Sequence, residues 1–507
     1  MNRRRFIKTA AAGTFAANII TCKKHRSKPN LLFIWTDEQR PDTMAVYGNT
    51  RIQAPNLNKL AEESVVFRNA YVSQPVCTPS RSTVMTGLWP HTSGCTENNL
   101  PLPPDVRVFP ELLDDPEYRT GYVGKWHLGD EIFAQHGFEE WVSMEDGYSR
   151  YYRKDRDRTE RSSYHHFLIE SGYRPDRISS NTFSRSYAAR LPIEYCKPRF
   201  LEMQAVDFLN RHKNEPFTLY VNFLEPHPPF FGPLNNEHKL SDIEFPANYN
   251  DPLEDNEPLW YRIRQNMGIE NKKGEFDLTR DEGWRRLIAN YWGLVTQMDR
   301  SVGAILTALE NLGLADNTIV VFTSDHGDMM GSHRLLNKSV MYQESVQVPW
   351  LMRIPDMGKG QHIVNQHVSH IDLVPTLLDL MNTHSDPDLP GRSLRPMIDE
   401  GSAGEDVFTE WTPNIHRYRP LTKSYLPGVT VEETNKVMQA NRRAVISQDG
   451  MKLVLADNDL DQLYDLNKDP FETTNLINEN HYKEIILANS KKIADWQRRV
   501  DDTVEVL

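Results

Sequence analysis

In the stretch PVCTPSRSTVMTG, from Pro75 to Gly87, a cysteine, Cys77, stands among small polar residues with an arginine four positions on, Arg81. A thiol or a derivative of it can serve as a nucleophile, and a fixed cation beside it can hold the charge that develops during attack on an anion. The commoner fate of a free cysteine is a buried, inert thiol. Acids and imidazoles recur elsewhere in short clusters. Asp37-Glu38 and Asp325-His326 each follow an apolar run. Carboxylates gathered from separate strand ends offer the oxygen ligands that a hard divalent cation prefers, although strand-end acids can also simply be solvated. In GKWHLG, Lys125 and His127 alternate, so in an extended backbone both face one way and Trp126 the other. His227 lies in EPHPPF, where prolines stiffen a loop that aims the imidazole. Its ordinary pKa near neutrality suits a group that protonates a departing oxygen. In GSHRLLNK, His333 reads equally as a substrate contact or a turn cap, and Lys338 closes the segment.

These residues need a scaffold that brings distant segments to one rim. NLLFIWTDEQ, TGYVGKW, FTLYVNFLEPH and NTIVVFTSDHGD are short apolar runs that end in polar residues. Between them lie amphipathic stretches such as APNLNKLAEESVVF and YWGLVTQMDRSVGAILTALENLG, the latter with Gly313 as a helix stop. Buried strands separated by such helices imply an α/β fold with a large, mostly parallel sheet sandwiched by helices. Ligands then collect beyond the strand C-termini, so Asp37, Lys125, His227 and Asp325 should converge. Near residues 387–391 the pattern changes. RRAVISQDGMKLVLA reads as a hairpin about Asp449-Gly450, followed by a further strand, a polar turn and a terminal helix. The expected organisation is therefore a catalytic α/β domain over residues 28–386, with an insertion near 145–200, and a smaller C-terminal domain over 387–507 built on an antiparallel sheet plus helix.

With 507 residues, 39% hydrophobic and 25% charged, the chain is of globular composition, and its net charge of -12 argues against a general nucleic-acid binder. Residues 1–27, opening MNRRRFIKTAAAG, read as a twin-arginine export signal, which places the protein in the periplasm, lipid-anchored or secreted. The residue before Cys22 is larger than a lipidation site normally wants. No stretch is apolar enough for a stable membrane span. Four cysteines are too few and too scattered for a disulfide framework; a bridge between Cys95 and Cys196 is left to geometry.

CTPSR matches the C-x-P-S-R signature of the type I sulfatases, in the alkaline phosphatase superfamily. The chain resembles that family further in TDEQ, GYVGKWHLG, EPHPPF, TSDHGDMMG and QLYDLNKDPFETTNL, in family order over nearly all of the chain after the signal. The resemblance implies that Cys77 is oxidised to formylglycine by a formylglycine-generating maturation enzyme. The hydrated aldehyde carries two hydroxyls: one attacks sulfur and expels the alcohol, and the other loses a proton as the adduct collapses and releases sulfate. By the same resemblance Asp37, Glu38, Asp325 and His326 hold Ca2+, Arg81 stabilises charge around the diol and metal, Lys125 and Lys338 bind sulfate, and His127 holds or deprotonates the diol. His227 is then the first choice for the acid, with Lys338 able to share that role. Two departures stand out. An Asp-Asp pair becomes Asp37-Glu38, whose longer acid can bind through a different oxygen geometry or move outward, and an Asn beside the later Asp becomes His326, a poor calcium ligand that can instead contact the sulfate or sit beside the metal.

The expected reaction is sulfate ester hydrolysis. A phosphoester or phosphonate monoester hydrolase of the same superfamily and a catalytically silent binder of sulfated glycans are the alternatives. For the substrate, RYYRKDRDRTERSSYHH, from Arg150 to His166, supplies arginines for sulfate or carboxylate and tyrosine faces for sugar rings. Arg150 and Arg153 lead that expectation, and the partner is a sulfated carbohydrate such as an ulvan- or glycosaminoglycan-like polysaccharide. The acids within the stretch also permit a solvated, self-paired loop.

Overall fold

The structure, a computed structural model, describes residues 28–506 apart from 271–275, 356, 359, 384, 385 and 417. The export signal and Cys22 lie outside the described residues. Eight strands form one sheet: β1 (Asn30–Asp37), β2 (Val65–Tyr71), β3 (Arg119–Gly124), β4 (Glu140–Ser143), β5 (Phe217–Pro226), β6 (Thr318–Ser324), β7 (Gln347–Arg353) and β8 (His362–Ser369). Their order is β4-β3-β5-β1-β6-β7-β2-β8. The strands run parallel except β7, which is antiparallel to both β6 and β2.

β1 shows why the central strands read as continuous apolar runs. Leu32 and Ile34 enter the core on one face, and Leu31, Phe33 and Trp35 enter the core on the other. With both faces covered, alternation has no solvent side to mark. The first face packs on the helices Pro55–Glu62, Lys197–Arg211 and Asp281–Asn311, the second on Cys77–Thr86 and Leu373–Leu380. The stretch ending ESVVF is split: its helix stops at Glu62, and Val65–Phe67 begin β2.

A second sheet, order β12-β11-β10-β9, is antiparallel and comprises β9 (Val407–Trp411), β10 (Arg442–Ile446), β11 (Met451–Ala456) and β12 (Gln462–Asp465). Gly450, at φ 86°, makes the β10-β11 turn. The terminal helix Lys483–Arg499 lays Ile493 and Trp496 on this sheet, and Trp496 stacks on Phe408 with ring centres 5.1 Å apart. Trp89 and Ile371 join the same small core. We propose the division at 386/387 as an organisation in which the smaller unit is firmly seated on the larger. Among the described residues, no helix is long and apolar enough to cross a membrane.

Candidate active site

Four polar strand ends meet on one rim. Asp37 closes β1, Lys125 follows β3, His227 follows β5 and Asp325 follows β6. β3 has to end in glycine: Gly124 adopts φ 129°, and a Cβ there would fall 2.0 Å from the Asn222 carbonyl oxygen of β5. Opposite them, the helix Cys77–Thr86 has all ten of its residues buried and aims its N-terminus at the rim.

The Cys77 thiol lies 3.3 Å from His326 Nε2 and 3.8 Å from Asp37 Oδ1. Burial, then the Asp37 carboxylate, pushes it up to about 11. Arg81, on the same helix, is fully buried and does not line the cleft. It lies behind the carboxylates, donating to Asp325 Oδ2 at 2.8 Å, Asp37 Oδ2 at 3.0 Å, the Lys125 carbonyl at 2.9 Å and Asn222 Oδ1 at 2.8 Å. Of the two charges that Arg81 is expected to stabilise, the structure puts it against the carboxylates of the metal-site group, which it holds in position. Lys125 Nζ pairs with Asp37 Oδ2. Burial alone would raise Asp37, but Lys125, His227 and Arg81 hold its carboxylate well below the usual range.

Asp37, Cys77, Asp325 and His326 bring one ligand atom each within 4.8 Å of one another. The His326 ring donates from Nδ1 to the Gly327 carbonyl at 2.9 Å, which leaves the Nε2 lone pair facing the group. His326 Nε2 is 3.5 Å from Asp325 Oδ1 and 3.9 Å from Asp37 Oδ1. Ligands at right angles around calcium at its usual bond length would be about 3.4 Å apart. The second oxygen of each aspartate is tied to Arg81, so the set fits a divalent cation. Glu38 falls outside it and groups instead with Asp37 and His227. Its backbone is left-handed, φ 73°, with its N–H on Asp325 Oδ1 at 3.1 Å. Glu38 Oε2 pairs with Lys338 Nζ at 2.9 Å. Burial pushes Glu38 up to about 8, against the pull of Lys338 and with Asp328 adding to the rise.

Lys125 and His127 both line the cleft, though not by strand alternation, because β3 stops at Gly124. Glu131 does the work instead, accepting the backbone N–H of Trp126 at 2.9 Å and of His127 at 2.6 Å, with His127 at φ 61°. His127 Nε2 donates to Asn99 Oδ1 at 3.1 Å, and Nδ1 is buried without a partner. Burial, then Lys125 and Arg81, holds this imidazole well below its ordinary value, so it is neutral with a free acceptor. His227 is likewise pushed down by burial, then by Lys338 and Lys125 against the opposite pull of Asp37. Its Nδ1 donates to the Pro228 carbonyl at 2.8 Å, and Nε2 faces Glu38 Oε2 at 3.7 Å. Lys338 stays cationic: its burial is outweighed by Cys77, Glu38 and Asp37.

Cys77, Lys125, His127, His227 and Lys338 line the inner part of a cleft of ≈ 380 Å³ whose outer wall comes from residues between Met144 and Lys197. Arg150 is on that wall. Two expectations fail here. His333 is fully buried away from the cleft, its Nδ1 on Asp251 Oδ2 at 2.8 Å and Nε2 beside Asn248 Nδ2 at 3.0 Å, with its ring stacked on Tyr342. It braces a loop and cannot touch substrate. Arg153 is turned to Asp130, 2.6 Å away, on a separate hollow, and Arg156 joins it at 3.0 Å. Cys95 and Cys196 are free buried thiols, so the bridge is not formed.

The sequence reading missed several wall residues. Glu145 is buried between Arg185 Nε and Lys197 Nζ, both at 2.7 Å, and Arg185 also donates to Tyr148 OH at 2.7 Å. Tyr148 packs on His127 with ring centres 4.6 Å apart. Tyr148 stands beside the arginine- and tyrosine-rich stretch, which hinted at it. Asn99 and Arg177 carry no local signal.

A family model for sulfatases matches residues 29–383. The N-acetylglucosamine-6-O-sulfatase of Bacteroides thetaiotaomicron is 26% identical over 517 residues, covering 91% of this chain and 84% of its own. The ulvan-active sulfatase of Formosa agariphila is 30% identical over 429 residues, covering 80% of this chain and 74% of its own. The solved phosphonate monoester hydrolase of Agrobacterium radiobacter shares the fold, with TM-score 0.74 and 22% identity over 93% of this chain and 96% of that one. The matched span runs from the first strand to beyond Lys338 and so carries the whole catalytic half of the cleft: the chain belongs to the sulfatase family.

Proposed function

We propose that this sulfatase-family hydrolase cleaves sulfate esters borne on a saccharide, with Cys77 as the precursor of a formylglycine nucleophile. Sulfate ester hydrolysis follows from the family; the saccharide and the residue roles are our reading. The observation that carries it is the meeting of Cys77 with Lys125, Lys338, His127 and His227 in one cleft. Ca2+ held by Asp37, Asp325 and His326 would supply a fixed positive charge beside the nucleophile and the ester oxygens. Lys125 and Lys338 neutralise the ester anion from two sides. Nδ1 of His127, without a partner, accepts a proton from the attacking or collapsing hydroxyl. The departing oxygen takes its proton from the His227–Lys338 pair; an arriving anion raises His227 out of its depressed resting state, and Lys338 holds the proton available at rest.

The two carbohydrate-active relatives support a sulfated glycan as substrate, and the arginine-opening N-terminus supports export to the periplasm. The test runs a sulfate ester, a phosphate ester and a phosphonate ester of the same phenol in parallel, with and without a chelator. We expect the sulfate ester to be preferred, chelation to abolish its turnover and calcium to restore it. A preference for the phosphonate ester, or full turnover in metal-free protein, would overturn the reading.

A further inference from the structure

The outer wall of the cleft carries more positive charge than the scissile ester requires. Its acids are already committed. Glu145 is held by Arg185 and Lys197, while Asp146 accepts from His165 Nδ1 at 3.1 Å and from the Ser162 backbone at 2.6 Å. Arg150 and Arg177 also line the cleft, and among the described residues neither is held in an ion pair; Asp176, beside Arg177, spends both carboxylate oxygens on Ser184, at 2.7 Å and 2.6 Å. Arg150 lies over the Tyr151 ring, 4.7 Å from its centre. Arg177 sits on a short hairpin closed by its bridge to Thr182. Arg161 pins that hairpin from below, donating to the carbonyls of Ser180 at 2.8 Å and Asn181 at 3.1 Å. The neighbouring Arg153 and Arg156 are held in ion pairs by Asp130, so the lack of such a pair at Arg150 and Arg177 is not a general property of this arginine-rich region.

Between this wall and the catalytic residues stands Tyr148, packed on His127 and 6.5 Å, ring centre to ring centre, from Tyr151. An aromatic pair between two sets of cations offers a sugar ring a face to lie on and places an anionic group at each end. We propose that Arg150 and Arg177 form a second anion subsite, and that the preferred substrate carries, besides the sulfate ester to be cleaved, a carboxylate or second sulfate that these guanidiniums receive. The proposal rests on the sulfate-ester reading of the cleft and names its substrate class: a saccharide with at least two anionic groups. Guanidinium suits either group because its planar fork matches the paired oxygens of carboxylate and sulfate.

Binding is measured by titration calorimetry on the Cys77→Ala protein, where turnover cannot intervene. The probes are a monosulfated N-acetylhexosamine, its disulfated counterpart, and a disaccharide joining the monosulfated sugar to a uronic acid. At least one dianionic probe should bind about tenfold tighter than the monosulfated sugar, as two exposed charge-assisted contacts allow. The added Arg150→Ala and Arg177→Ala substitutions should erase that preference, whereas Arg153→Ala should retain it. Which dianionic probe gains tells sulfate from carboxylate. Equal affinity for all three probes, including no binding to any, overturns the proposal, as does a preference that survives loss of both arginines. Hydrolysis of an aryl sulfate by the processed enzyme is scored separately. That ester has a single anionic group, so its failure would strike the sulfate-ester reading and not the second subsite.

Discussion

Arg81→Met tests whether the catalytic centre is held together by charge balance. The guanidinium binds both Asp37 and Asp325, also holds the Lys125 carbonyl and Asn222, and faces the Trp35 ring at 4.7 Å. Methionine keeps much of the volume and removes the charge. Asp37 retains Lys125, but Asp325 is left buried with no Lys or Arg partner among the described residues. Removing one partner of a buried ion pair costs about 3–5 kcal/mol, because the remaining charge stays desolvated. The assay is urea unfolding followed by tryptophan fluorescence in a chelating buffer, with wild type, Arg81→Met and Arg81→Lys side by side. The Met variant should show a much lower midpoint. The Lys variant should recover only part of the loss, since one ammonium cannot reach four acceptors set around a planar fork. Calcium should narrow the gap, because a cation between Asp37 and Asp325 replaces part of the missing charge. A Met variant with the wild-type midpoint in chelator would refute the reasoning.

Two further outcomes follow from the geometry. In active protein the tryptic peptide Asn69 to Arg81 should carry an aldehyde in place of the Cys77 thiol by mass spectrometry, and Cys77→Ala should abolish turnover while changing stability by about 1 kcal/mol or less, since one small rim side chain with two weak sulfur contacts contributes little core; fully active enzyme with an intact thiol would refute this. His333→Phe keeps a ring against Tyr342 but strands Asp251, so it should destabilise by about 1.5–3 kcal/mol in mild acid. Burial lowers His333, and Asp251 and Glu344 outweigh it, so its pKa is raised on folding; its contribution is full below the ordinary imidazole range and fades as pH climbs through the raised value. A cost that grows with pH would contradict the assignment.

The central strands were legible because burial on both faces writes them as unbroken apolar runs with a polar residue where each meets solvent. β2 was not, because Val65–Phe67 continue the apolar pattern of the preceding helix with only Glu63 and Ser64 between. β7 and β8 end without chemistry-bearing residues in the cleft, so nothing drew attention to them. The inner half of the cleft could be assembled from motifs, since its residues sit at strand ends or on the Cys77 helix. The bracing role of His333 could not be read this way, because a motif records that a residue is near the chemistry and not which way it faces. The outer wall was legible only as a composition. Which arginines face the cleft and which fold back on Asp130 is decided by tertiary pairing.

The helix that carries Cys77 is buried along its whole length, and among the described residues the thiol opens into a cleft whose outer wall comes from residues 144 to 197. Another protein cannot grip the chain around this cysteine once that helix has packed, because gripping it would mean pulling Ser80, Arg81 and Val84 out of the interior. If Cys77 is processed to formylglycine, as proposed above, that step has to precede closure of the fold, on a nascent or still extended chain. If the protein crosses its membrane already folded, as the arginine-opening N-terminus leads us to propose, that window closes before departure. Molecules that leave unprocessed would be well folded, able to bind sulfated sugars and permanently unable to cleave them.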